Sequence, residues 1–225
     1  MSDETGRPRV ASRRPGRSRR PVARPRALAL VAIVLVGLVL LGEVASAILL
    51  RTGTGGTMED YRRLANIRLV LGGLTFLVQL GAGIMSAVFL YRVSLWLHSR
   101  SSGSRRAWRW SPGWAAGGWF IPIANLVIPF LVLREMWDHL VSGGFGRSRA
   151  PRTLMIWFVA WVISPVLDFG PLAAFLLETN PGAAGFEALA ISALLVRGIG
   201  GVAFMGTLWL FAATPPGTTE IEVFD

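Results

Sequence analysis

Four stretches of this chain run for more than twenty residues with almost no charge: 27–50, 69–91, 153–177 and 187–214. At 1.5 Å per residue, about 20 apolar residues cover a hydrocarbon core roughly 30 Å thick. Inside that core every backbone N–H and C=O must find a partner, and a helix satisfies its own. The sequence therefore reads as an all-α integral membrane protein with four transmembrane helices. Composition agrees, with 52% hydrophobic and only 16% charged residues, where soluble domains carry about 25% charge.

The sparse charge is one-sided. Net charge is +10, and all 23 basic residues are arginine. Nine of them fall in the first 26 residues, with Pro8, Pro15, Pro21 and Pro25 and no apolar run. That segment cannot bury enough surface to offset its ordering entropy, so residues 1–26 read as a disordered cytoplasmic arm. It either lies on anionic headgroups or serves only to keep the N-terminus inside. Nucleic acid is not an expected partner, because stacking aromatics are absent before Tyr61. Ala45-Ser46-Ala47 resembles a signal-peptidase site, but the apolar run continues through Leu50, which favours a retained anchor. Absence of cysteine removes thiolate metal sites and thiol catalysis. With only His98 and His139 besides, no metal or other cofactor is expected.

Residues 114–141 are harder to thread. Trp114 to Leu133 is long enough to cross, yet holds Pro122, Asn125 and Pro129, each awkward in a hydrocarbon-embedded helix. If it crosses, Arg134, Arg147, Arg149 and Arg152 fall outside. If it dips and returns, eighteen arginines stay inside and only Arg51, Arg62, Arg63 and Arg68 are external. The expectation is four spans plus a re-entrant or interfacial segment over 114–141, with five spans as the alternative. Both termini are then cytoplasmic at the plasma membrane, and all nine tryptophans lie toward that face. Residues 134–140 read as an interfacial helical turn. Met136, Trp137 and Leu140 share one face, and Arg134/Asp138 and Glu135/His139 form i,i+4 pairs on the other.

Pro112-Gly113-Trp114, the run Trp119-Phe120-Ile121-Pro122-Ile123-Ala124-Asn125-Leu126-Val127-Ile128-Pro129, and Glu135-Met136-Trp137 together resemble the central signature of an actinobacterial membrane family known only as a domain of unknown function. The resemblance covers roughly residues 60–214, leaving the arm and the short acidic tail (215–225) outside. It implies a multi-span membrane fold and no established activity.

Glu43, Gln79, Asp168 and Arg197 are polar side chains within the four spans, and each is costly in hydrocarbon. Counting from the outer helix ends places all four about 10–15 Å below the outer surface. One reading is an Arg197–Asp168 pair joining the last two helices, with Gln79 and Glu43 satisfying each other. The other is a proton- or cation-responsive layer. No nucleophile elbow, HExxH or facing aspartate pair supports an enzyme. The expected function is a non-enzymatic interaction, sensory or envelope-associated module, partnered by the bilayer and by a membrane or cytoplasmic protein. The alternative is a small proton- or cation-coupled transporter.

Overall fold

The computed structural model describes residues 24–52, 57–100, 108–121, 124–143, 147–176 and 182–216, and among them there are helices and no strands. The expected disordered arm, up to residue 23, and the acidic tail from 217 onward lie outside the described residues. The helices are α1 (Arg26–Thr52), α2 (Met58–Arg100), α3 (Pro112–Gly117), α4 (Ile128–Ser142), α5 (Arg152–Leu176) and α6 (Gly182–Ala213), with a 3-10 turn at Ala124–Leu126. Among the described residues, three helices are long and apolar enough to cross a membrane: α1, α2 and α6.

The long helices stand in the order α2, α1, α6, α5, because α1 packs against both α2 and α6, and α6 against α5. At one end α3 lies on α2, and α4 touches both α2 and α5. Most of the buried residues are at that end: Ala29 and Ala32 of α1, Phe89 to Leu97 of α2, most of α4, Leu154 and Trp157 of α5, and Phe204 to Ala212 of α6. Arg24 ties three of these elements together. Its guanidinium donates to the Phe211 carbonyl near the end of α6 and sits 4.9 Å from the Trp96 ring near the end of α2. Burial, with Arg26 and Arg100 adding to it, pulls the Arg24 guanidinium below its ordinary value. Arg24 thus belongs to the folded body rather than to a free arm.

At the opposite end Arg68 of α2 donates to the Leu49 carbonyl at 2.7 Å, satisfying one of the terminal acceptors of α1. Thr57 and Asp60 form a reciprocal cap at the start of α2: the Thr57 N–H donates to the Asp60 carboxylate at 2.9 Å, and the Asp60 N–H to the Thr57 hydroxyl at 3.3 Å. The Thr57 hydroxyl, which donates to the same carboxylate at 2.7 Å, and the Thr57 N–H hold the Asp60 carboxyl below its ordinary value. The expected span 69–91 is therefore the middle of a single 43-residue helix, about 64 Å long. The polar residues before it extend the helix, helped by this cap and by the Glu59–Arg63 pair at 2.5 Å.

The apolar run 114–133 does not form one helix. It breaks into α3, the 3-10 turn and α4, with Pro112 and Pro129 in first turns, where a missing N–H costs nothing. Trp119 packs on Trp157, Trp161 and Phe204, and α4 then runs back past Phe158 toward Arg149. Its far end is a Gly143 in the left-handed region, φ 60°.

Gly200 and Gly201 bring α6 close to two neighbours at once. A Cβ at Gly200 would lie 2.8 Å from the Ala160 Cβ of α5, and one at Gly201 would lie 2.8 Å from Leu40 of α1. Gly200→Ala is expected to destabilise the fold by about 1–3 kcal/mol, since neither methyl can rotate away. Gly198→Ala, which meets open space, is expected to be neutral or stabilising. Thermal unfolding of the detergent-solubilised variants checks both.

Candidate functional site

Among the described residues, two of the four intramembrane polar side chains come together. Arg197 of α6 pairs with Glu43 of α1, Nε to Oε2, at 3.3 Å. Gln79 is exposed on α2, so it is not the partner that satisfies Glu43. The Asp168 side chain lies outside the described residues. The Glu43–Arg197 pair sits in a cavity of about 730 Å³ between α1, α6 and the start of α5, lined otherwise by apolar groups such as Leu40, Val44, Ile156 and Val202. Two opposite charges in contact neutralise each other, which suits a clasp between helices.

The densest chemistry is on α4, where residues 135 to 140 are all buried. Six consecutive buried positions mean that protein surrounds the helix on every side, where the expectation was a turn with one polar face. Glu135, 7% exposed, does not pair with His139. Its Oε1 accepts the Arg109 backbone N–H at 2.6 Å and its Oε2 that of Trp110 at 3.2 Å. Asp138, 2% exposed, accepts the Ser148 N–H at 2.9 Å and its hydroxyl at 2.8 Å. The expected Arg134–Asp138 pair is present at 3.4 Å, and Arg134 also donates to the Ser148 carbonyl. One turn of α4 thus holds the chain on both sides of it.

Both histidines flank a single indole. Trp108 stacks between His98 of α2 at 3.9 Å and His139 of α4 at 3.7 Å between ring centroids. His98 Nδ1 donates to the Ser94 carbonyl at 2.8 Å. Rings on opposite faces of one indole cannot share a metal ion, and among the described residues no cluster of three or more possible ligands occurs.

The remaining signature residues have structural positions. Trp114 meets Trp110 edge to face at 5.6 Å. The Trp119 indole N–H donates to the Ala115 carbonyl at 3.1 Å, and Phe120 is exposed. Pro122 lies outside the described residues. The Asn125 carbonyl accepts the Trp161 indole N–H at 3.1 Å; its side-chain oxygen is buried without a partner, which nothing in the structure explains. Trp137 donates to the Arg149 carbonyl at 3.0 Å and packs edge-on to Phe211. A 260 Å³ pocket opens beside this network, lined by Arg109, Trp110, Leu131, Arg134, Glu135, Asp138 and Arg147.

A family model covers residues 53–214, from just before α2 to the end of α6. The chain belongs to the DUF4328 family, a domain of unknown function. No characterised protein and no solved structure matches it. The DUF4328 region takes in the whole α4 network and leaves out α1 and Arg24, although both pack on it. Sequence reading found Glu135 and Asp138 but paired them within their own helix. Their i,i+3 spacing was the available signal, since it aims both acids at flanking chain.

Glu135→Ala would strand two backbone donors and is expected to cost about 2–4 kcal/mol, while Glu135→Gln, which keeps one acceptor, should cost less. Tryptophan-monitored unfolding and protease cleavage ahead of α3 read the difference. In the membrane interior, Arg197→Gln should lower folded yield by leaving Glu43 unpaired, and Glu43→Gln in the same chain should restore much of it. Equal loss in the single and double variants would mean that the pair is not what Arg197 serves.

Proposed function

We propose that this DUF4328 protein is a four-span plasma-membrane protein of non-enzymatic function, whose cytoplasmic cap, built around α4, is an interaction surface for anionic lipid and a protein partner. In this reading α1, α2, α5 and α6 cross, 114–141 is re-entrant, and both termini are cytoplasmic. The α4 network carries the reading. Its buried carboxylates hold the flanking segments in place while Arg109, Arg147 and Arg149 on those segments are exposed, an arrangement suited to presenting a fixed surface. Charge distribution supports the same orientation: Arg24, Arg100, Arg109, Arg134, Arg147, Arg149 and Arg152 gather at the cap end, and Arg62, Arg63 and Arg68 at the other. Trp119 and Asn125, at the centre of the family resemblance, both contact Trp161.

The carrier reading has less behind it, because the Glu43 and Arg197 charges cancel in a contact pair. Two measurements test the proposal. Reporter fusions should place Ser142 inside and residue 55 outside; an external Ser142 overturns the topology. A photo-crosslinking residue at position 147 should give discrete protein or lipid adducts in living membranes, while one at the membrane-facing position 199 should give lipid only. Absence of discrete adducts at 147 overturns the interaction reading.

A further inference from the structure

We propose that the pocket framed by Arg109, Arg134 and Arg147 binds a phosphate ester, and that its ligand is the headgroup of an anionic phospholipid. The proposal deepens the reading above and rests on its placement of α4 at the membrane interface.

The three guanidiniums come from three segments held in register by α4 itself. Arg109 follows Trp108, and its backbone N–H is fixed by Glu135. Arg134 lies on α4, oriented by Asp138 and the Ser148 carbonyl. Arg147 precedes Ser148, whose N–H and hydroxyl both bond Asp138. The two carboxylates in the pocket are thereby turned to protein donors. An entering anion meets the exposed Arg109 and Arg147 and the Asp138-paired Arg134, against two acids that both accept bonds from protein donors. A folded loop brings no such cations together unless it is pinned, and here the pinning groups and the cations are sequence neighbours.

Shape separates a lipid from a soluble anion. Leu131, Arg134 and Asp138 follow one another along one face of α4, spaced by three and four residues, so the pocket passes from apolar to basic toward the cap. Leu131 is 37% exposed and Trp110 forms a wall, over which Arg109 lies at 5.9 Å from the ring centroid. A volume of about 260 Å³ holds a phosphodiester and its glycerol but not the acyl chains. Those chains would leave past Leu131 toward the hydrocarbon. Basic pockets between membrane helices on the cytoplasmic side recognise lipid headgroups in this way. Arginine suits the task because its planar fork bonds two phosphate oxygens at once.

The arginine-rich N-terminus also attracts anionic lipid, so the test keeps it constant. Full-length protein in detergent is titrated with phosphatidylglycerol or phosphatidylcholine and retained lipid is counted by native mass spectrometry. The wild type should hold one phosphatidylglycerol at least about tenfold more tightly than phosphatidylcholine, and Arg109→Gln/Arg147→Gln should abolish that preference. Both side chains are exposed; should the double variant not fold, Arg147→Glu alone must lower the preference. Arg62→Gln/Arg63→Gln, at the far end, should leave it intact. An unchanged preference in the pocket variants, or its loss in the far-end variant, overturns the proposal. Displacement of the lipid by millimolar inorganic phosphate assigns the pocket to a soluble anion and overturns the lipid assignment. Failure here with Ser142 still inside sinks only the pocket, whereas an external Ser142 sinks the underlying topology.

Discussion

Irregular backbone inside a membrane-type fold must be hydrogen-bonded by something other than itself, and this requirement shapes the whole α4 end of the molecule. Between α2 and α5 the chain leaves helical geometry several times. Two residue types make good the loss. Indole N–H groups, which can only donate, take the stranded carbonyls: Trp119 serves Ala115, Trp161 serves Asn125 and Trp137 serves Arg149. Carboxylates, which accept, take the stranded N–H groups: Glu135 serves Arg109 and Trp110, and Asp138 serves Ser148. Tryptophan concentrated at one end is thus more than an interface preference. Each of these three rings supplies a large apolar body to the core and one donor where a loop needs it.

Such a network explains why α4 tolerates buried charge. A carboxylate with two N–H or O–H donors is a satisfied group, and removing it would leave several others unsatisfied. The same logic sets where rigidity lies. Loops tied to α4 move only if α4 moves, and α4 is wedged between α2 and α5. The long helices, by contrast, carry exposed apolar side chains such as Leu69, Phe76 and Val166, which suit contact with lipid.

How much of this could be read in advance differs by element. Helical membrane architecture followed from unbroken apolar length, because hydrocarbon thickness and helix rise are fixed quantities. The proline-bearing run was recognisable as something other than a plain span, since Pro129 cannot sit in a helix interior without loss. Partners across the sequence were not recognisable. Glu135 and Arg109 are 26 residues apart, and nothing in either neighbourhood names the other. Arg197 had three possible acidic or amide partners at one depth, and depth alone does not say which helices touch. The order α2, α1, α6, α5 sets α1 between α2 and α6, so that Glu43 meets Arg197 and Gln79 is left exposed. Helix ends were misjudged for a different reason. Charged residues before 69 end an apolar run without ending a helix, and the cap at Thr57 carries α2 well past it.

The length of α2 has a further meaning. Its two arginine clasps, Arg68 on the Leu49 carbonyl and Arg24 over Trp96, engage it 28 residues apart. That is about 42 Å along the axis, the full width of a bilayer with its headgroups. Helix α2 is in effect a measuring rod clasped to the rest of the protein near both its ends. A thinner membrane cannot be met by sliding it against its neighbours, because either clasp would open, so the whole bundle would tilt as a unit.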